Sequence, residues 1–400
     1  MRTVSIIAEY NPFHNGHAYQ LEEAKRSSGA ERAVVIMSAS FVQRGEPACA
    51  DKFTRAKWAL DGGADMVLEL PDLFSLSCAE RFACGAVRVL AGAGFAERLS
   101  FGSETGDAEA LRRSALKSED SAAVAELLKR GLSYPAAVAG AGGALGPNDI
   151  LGAEYLRAIE RYSPDTEVYA VKREGAGHAD EELGGEFSSA AAIRRVLLGA
   201  SATGRLSPAV LDGLSGALPR GVLEDAAEQM RTGVFPASLE GLSDAALYAL
   251  RRMSREEMRM LPEVAEGLEN LFAEHAADSS GITELLGKVK SKRYTMARLK
   301  RIAMYALVGV TERLQRGAAE DDGLLYARVL GVRKGAEGLI SELCERSRIP
   351  VVVRSSDAEK LPEGARQTLR LSELAHAIRA VGQPYDKSFE PDLSHRLIVR

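Results

Sequence analysis

Two histidines, His14 and His17, stand three residues apart in the run Phe13-His-Asn-Gly-His17. Their type and spacing suit phosphoryl or nucleotidyl transfer. Imidazoles, protonated or neutral, donate hydrogen bonds to oxygens that gain charge during such a reaction. Gly16 between them has no Cβ, so a phosphate can approach the backbone closely. Two other readings stay open at this point. Close histidine pairs occur among metal ligands, although no acidic or thiol partner stands here at a matching spacing. The pair could also cap a structural turn.

The surrounding pattern says what must hold these side chains. The apolar run Val4–Ala8 predicts a buried strand, and the residues from His17 to Arg26 follow a helical pattern. A strand, a tight turn and a helix start would set both imidazoles at the first helical turn. That turn offers unpaired N–H groups and a partial positive charge to an anion. The same alternation recurs. Ala33–Met37 precedes a helix near Lys52–Leu60, and Met66–Leu70 precedes one near Ser75–Leu90. Arg98–Phe101, closed by Gly102, is a fourth strand, and Val168–Val171 is a fifth, after a helix from about Leu151 to Arg161. This order predicts an α/β fold with a doubly wound, Rossmann-like parallel sheet over residues 1–200. Ligands bind beyond the carboxyl ends of such strands. His14, Gln43, Gly102 and Arg173 fall at or just after those ends and are expected to face one crevice.

Other residues there admit two readings each. Ser188 and Ser189 precede a helix carrying Arg194. They are helix caps, or they serve phosphate oxygens whose charge Arg194 neutralises. Asn148 is a turn residue, or its amide reads an adenine or ribose edge. Arg173 joins a surface ion pair or faces a phosphate. Phe41–Pro47 is a polar loop on the substrate side.

From about residue 201 strand signals fade, and Leu206–Met230 and Ser243–Leu286 read as helices, so residues 201–320 form a mainly helical domain. It holds Lys288–Arg301, with seven basic residues in fourteen and no acidic one. That is a solvated helix face or a contact for RNA phosphates, with Tyr294 as a candidate to stack on a base. Residues 321–400 read as a small α/β tail whose clearest strand is Pro350–Val353, and Ala136–Gly146 reads as a flexible loop.

Bulk properties narrow the class. Four hundred residues allow two or three domains, and 46% hydrophobic with 27% charged residues is ordinary for a soluble protein. A net charge of −5 confines any nucleic-acid contact to a local patch. Four cysteines without metal spacing point to thiols in a reducing compartment. The apolar run before Glu9 is too short for a signal peptide, and no run approaches the roughly 18 apolar residues of a membrane span. A cytoplasmic protein without a membrane or protein partner is expected.

The string Ala8-Glu-Tyr-Asn-Pro-Phe-His-Asn-Gly-His17 resembles the opening of the tRNA(Met) cytidine acetate ligase family, within the H-x-G-H nucleotidyltransferase superfamily. Phe41–Pro47, Gly63–Pro71, Phe101–Glu104, Pro147–Gly152 and Arg293–Arg301 carry the resemblance on to about residue 335. Ser38-Ala39-Ser40 and Ala191 depart from the family pattern, which has a glycine and an asparagine before the loop and a threonine at the cap. The resemblance implies an ATP-dependent ligase. It would convert acetate to acetyl-adenylate, releasing pyrophosphate, and pass the acetyl group to N4 of the wobble cytidine of elongator tRNA(Met). It implies His14 and His17 as catalytic residues and Mg²⁺ accompanying ATP. The ATP contacts would be Ile7, Ala8, Glu9, Tyr10, Asn11, Pro12, Phe13, His14, Asn15, Gly16, His17, Ala18, Tyr19 and Gln20, with Gly102, Asn148 and Arg173, and Ser188 and Ser189 beside them. The tRNA contacts are expected at Lys290, Lys292, Arg293, Arg298, Lys300 and Arg301. Two alternatives are an adenylyltransferase for a phosphorylated small molecule, and a non-catalytic RNA-binding protein with a nucleotide pocket.

Overall fold

The computed structural model describes residues 2–117, 126–127, 130, 137, 146–173, 183, 185–320 and 322–400. Apart from residues 137 and 146, the loop read at 136–146 lies outside them. The first part of the chain runs β1 (Thr3–Ala8), α1 (Asn15–Ser28), β2 (Arg32–Ser38), the hairpin β3 (Phe41–Val42) and β4 (Glu46–Pro47), and α2 (Lys52–Asp61). It continues through β5 (Met66–Leu70), α3 (Asp72–Ser75), α4 (Ala79–Ala93), β6 (Arg98–Ser103), α5 (Ala108–Lys117), α6 (Pro147–Tyr162) and β7 (Glu167–Lys172).

Strands β5, β2, β1, β6 and β7 lie side by side in that order and all parallel. The doubly wound sheet expected from the alternation is therefore present. Both faces are buried, and residue alternation decides which core each side chain enters. Val4 and Ile6 of β1 and Val35 and Met37 of β2 join one cluster with α1 and α2 residues such as Leu21 and Trp58. Ile7, Val34 and Ile36 point the other way, into a cluster with α4 and α6 residues such as Val89 and Leu156. Successive strands step outward from β1 on either side, to β2 and to β6, so the crevice where a ligand belongs opens between the carboxyl ends of β1 and β6.

The helical middle comprises α7 (Ala190–Ser201), α8 (Pro208–Ser215), α9 (Arg220–Thr232), α10 (Ser243–Arg252), α11 (Arg255–Arg259), α12 (Leu268–Asp278), α13 (Ile282–Val289), α14 (Met296–Val308) and α15 (Glu312–Glu320). It packs against both faces of the sheet. Residues of α8 and α9 pack into the core with β1, while α10 and α14 share the core on the other face.

The C-terminal part joins the same sheet. It contains β8 (Ala327–Val332), α16 (Gly338–Arg346), β9 (Val351–Val352), α17 (Ser355–Ala358), α18 (Glu363–Val381) and β10 (Ile398–Val399). Strand β8 adds to the first sheet antiparallel to β5, with β9 and β10 beside it. The expected strand at Pro350–Val353 is thus the short β9, and the main one, β8, is elsewhere. A charge at its second residue breaks the apolar pattern. Arg328 is buried in β8, where its Nη1 meets Glu69 Oε2 of β5 at 3.3 Å and Asp392 Oδ1 at 2.6 Å. Lys52 Nζ joins the same two carboxylates, at 2.5 Å from Glu69 and 2.7 Å from Asp392, and the Tyr326 hydroxyl donates to Glu69 at 2.6 Å. Buried charges persist when paired in this way.

Candidate active site

Helix α1 starts where β1's chain turns back, and His14 is its N-cap. Its Nδ1 accepts the Gly16 N–H at 3.1 Å, and His17 Nδ1 accepts the His14 N–H at 3.3 Å. With both Nδ1 atoms acting as acceptors, the ring proton of each neutral imidazole sits on Nε2. The rings stack with centroids 3.7 Å apart. Burial, reinforced by the Arg173 and Arg194 guanidiniums, pulls the His14 pKa down to about 3. Burial, then His14 and Arg173, put His17 well below the ordinary imidazole value. At neutral pH the site therefore presents two neutral N–H donors, not imidazolium ions. Capping and ligand donation are compatible, because they use opposite nitrogens. Gly16 is needed at this turn, since a Cβ there would lie 2.9 Å from His14 Cε1.

Behind the pair, Tyr10 and Phe13 are fully buried, with Tyr10 4.7 Å and Phe13 5.7 Å from the His17 ring, centroid to centroid. Asn11 Oδ1 accepts the Cys49 N–H at 2.8 Å. Asn15 gives its N–H to Ala217 O at 3.0 Å and its amide to Gly216 O at 2.9 Å. These residues of the expected ATP segment serve to shape the turn. Arg55, also fully buried, donates to the carbonyls of Glu9 at 2.7 Å and Ser38 at 2.9 Å, and to that of Ala39. One guanidinium thus ties the ends of β1 and β2 together. Sequence reasoning passed over Arg55, which reads as an ordinary helix residue.

On the other side of the crevice, a Cβ on Gly102 would lie 3.8 Å from Arg173 Cγ and 4.0 Å from Gln20 Nε2. The last turn of β6 is locked to the start of α6. Glu104 accepts from the Asn148 N–H at 3.1 Å, its side-chain amide at 2.7 Å and the Asp149 N–H at 2.8 Å. In return Asp149 accepts from Ser103 Oγ at 2.5 Å and the Glu104 N–H at 3.0 Å. This clamp fixes Asn148 with its Nδ2 engaged and leaves Oδ1 as the atom to meet a ligand donor. The segments Phe101–Glu104 and Pro147–Asp149 are mates, a pairing that spacing alone does not reveal. Ser189 caps α7 by accepting the Ala192 N–H at 3.0 Å, and Ser188 donates to Gly185 O at 2.8 Å, so both hydroxyls have structural work. Arg194 reaches back from α7 to donate to Asn11 O at 2.7 Å.

The basic segment differs from expectation. Arg301 is buried, gripping Glu263 at 2.7 and 2.6 Å and Gln43 O at 3.0 Å, and Tyr294 is buried too. Arg298 donates to Glu263 O at 3.0 and 2.6 Å, and Lys300 pairs with Glu46. Arg301 and Tyr294 therefore expose little surface to an RNA in this arrangement. Arg301 and Lys300 instead hold the Phe41–Pro47 loop, whose Gly45, at φ +78°, abuts the backbone of α14 at Lys300–Arg301. Lys290, Lys292 and Arg293 remain exposed.

A family model described as HIGH nucleotidyl transferase matches residues 1–391. The tRNA(Met) cytidine acetate ligase of Acetivibrio thermocellus is 36% identical over 375 residues, 89% of each chain. The chain belongs to the HIGH nucleotidyl transferases, in the tRNA(Met) cytidine acetate ligase family. Another member of that family, from Fervidobacterium nodosum, is 33% identical over 383 residues, 92% of this chain and 88% of its own. Among solved ligase-family structures, apo Thermotoga maritima TmcAL superposes with a TM-score of 0.90 at 30% identity, covering 100% of this chain and 99% of that one. The same protein bound with alpha-thio ATP gives 0.88 at 29% identity, with 100% of both chains covered. Among the described residues no helix is long and apolar enough to cross a membrane.

Proposed function

We propose that this chain activates acetate with ATP and transfers the acetyl group to N4 of the wobble cytidine of elongator tRNA(Met). The observation that carries this reading is the pair of neutral Nε2–H donors at the amino end of α1, set at the crevice of a sheet shared with an ATP-analogue-bound relative. In the first step a carboxylate oxygen of acetate attacks the α-phosphate, and pyrophosphate leaves. His14 and His17 donate to phosphate oxygens as charge grows on them, while the helix amino end and Arg173 and Arg194 favour the triphosphate. In the second step the cytidine amine takes the acetyl group and AMP leaves. Asn148 Oδ1 is an acceptor suited to the adenine amine. No group of three or more His, Cys, Asp or Glu side chains among the described residues is set to hold a metal. Mg²⁺ would instead come on the phosphate oxygens, keeping several waters.

Incubation with ATP, labelled acetate and total tRNA, followed by nucleoside analysis, tests the reading. N4-acetylcytidine in tRNA(Met) alone is expected. Pyrophosphate release driven only by a phosphorylated small molecule would favour an adenylyltransferase instead. Gly16→Ala is expected to lower acetate-dependent pyrophosphate release by about 10- to 10²-fold through displacement of the His14 ring, with little change in melting temperature. Normal turnover in that variant would remove the steric argument.

For the RNA, the three exposed cations are the candidates that remain. Replacing Lys290, Lys292 and Arg293 together with Gln is expected to weaken tRNA binding and to lower the salt slope by about two to three units if each meets a phosphate. An unchanged slope in filter binding would place the RNA surface elsewhere.

A further inference from the structure

Glu9 follows β1 directly, five residues before His14, and lies within the expected ATP segment with no chemical step yet given to its carboxylate. It is half-buried at the end of β1, near where phosphates are expected. Its Oε1 accepts the Gln43 N–H at 2.9 Å, and its Oε2 has no hydrogen-bond partner among the described residues. The backbone at and after Glu9 is fixed, by Arg55 at the Glu9 carbonyl and by Arg194 at the Asn11 carbonyl. The loop that supplies Gln43 is itself held by Arg301 and Glu263. An acceptor oxygen is thus aimed and kept in place by three separate elements, an arrangement that a merely solvated surface carboxylate does not have.

A carboxylate beside the phosphate end of ATP gains nothing from phosphate binding, since the charges repel. It suits the other reactant. Resting on the acetyl-transfer reading above, we propose that Glu9 is the catalytic base that takes the proton from the cytidine N4 amine. In that step a bond forms between N4 and the acetyl carbon of acetyl-adenylate. The bond between that carbon and the AMP oxygen breaks, and AMP leaves with its electron pair. One N4 proton goes to Glu9 Oε2 and is later lost to water. Burial raises the Glu9 pKa above the ordinary 4.5, against the opposing pull of the Gln43 amide and of Arg44, Arg194 and Arg55. A raised pKa makes a carboxylate a better proton acceptor near neutral pH. The charged or titratable groups facing it are those three arginines and Tyr155 of α6.

The test is Glu9→Gln in the full chain with tRNA(Met), reading the two half-reactions apart. The amide oxygen can still accept the Gln43 N–H, so the loop stays anchored. Acetyl transfer in a single turnover is expected to fall at least about 10²-fold more than acetate-dependent pyrophosphate release. Acetyl-adenylate should accumulate. In the wild type the transfer rate should rise with pH through a pKa above the usual carboxylate range, and that limb should vanish in the variant. Equal losses in both half-reactions, or transfer with an unaltered pH profile, would overturn the role of Glu9. Failure of the wild type to release pyrophosphate with acetate would instead overturn the acetyl-transfer reading, and Glu9's role with it.

Discussion

Replacing His14 or His17 with Ala is expected to cut acetyl-adenylate formation by about 10²- to 10³-fold each, the range for losing one donor to developing charge. The structure makes this effect sharp. Each ring donates from Nε2 only because its Nδ1 is occupied by a backbone N–H, so both tautomers are set before a ligand arrives. The rings share one stack, so losing either leaves the other less constrained, and the double variant should lose less than the product of the single losses. A pH profile separates this from acid catalysis. Since the His14 pKa lies near 3 and that of His17 well below 6.5, the activation rate should show no imidazole limb between about pH 6 and 8. The same shifts carry a stability sign. The unfolded histidines take up protons below about 6.5 and the folded ones do not, so stability from this site is full above that pH and declines as pH falls. Acetate-dependent pyrophosphate release by either Ala variant at the wild-type rate would contradict the donor role.

The largest expected loss of stability is from Lys52→Met. Lys52 is fully buried between Glu69 of β5 and Asp392 near the C-terminus. Removing it leaves two carboxylates facing Arg328 alone, and one uncompensated buried charge costs about 3–5 kcal/mol. The cost should appear as a lower urea midpoint with an unchanged slope. Adding Asp392→Asn should recover part of it by removing the excess charge. Acid titration gives an independent check. Burial alone would raise the Asp392 pKa, but Lys52 and Arg328 hold it down at about 2. A depressed carboxylate contributes its stabilisation above the unfolded value near 4 and loses it as pH falls from about 4 toward 2. An Asp392→Asn chain should lack that portion of the acid transition. An unchanged midpoint in Lys52→Met would mean that the C-terminal segment is held by its apolar contacts alone.

The parts of the fold that could be read from sequence are those whose signals are local. Val4–Ala8 is apolar but for Ser5, and α1 ends at Gly29 in the left-handed region, so strand, turn and helix are written in adjacent residues. β8 is not. Its pattern is interrupted by Arg328, and the charges that permit this burial come from residues 259 positions earlier and 64 later in the chain. Distance in sequence also hides the partners of the cations. Lys288–Arg301 contains no acid, yet Glu46 and Glu263 reach it from other elements, so a stretch that looks like a polyanion surface is half internal. At the candidate site the placement of the histidine pair and Gly16 at the start of α1 was legible from type and spacing. The Glu104–Asn148 clamp and the Arg55 fork were not, because each closes a contact across elements between residues whose own neighbourhoods are unremarkable.

A crystal soaked with a non-hydrolysable ATP analogue would decide whether these imidazoles grip the nucleotide. Phosphate oxygens should be found within about 3 Å of Nε2 of both His14 and His17, with the adenine on the side of Gly102 and Asn148. A triphosphate bound away from the stacked rings, with both Nε2 atoms facing only water, would contradict the role given to this site.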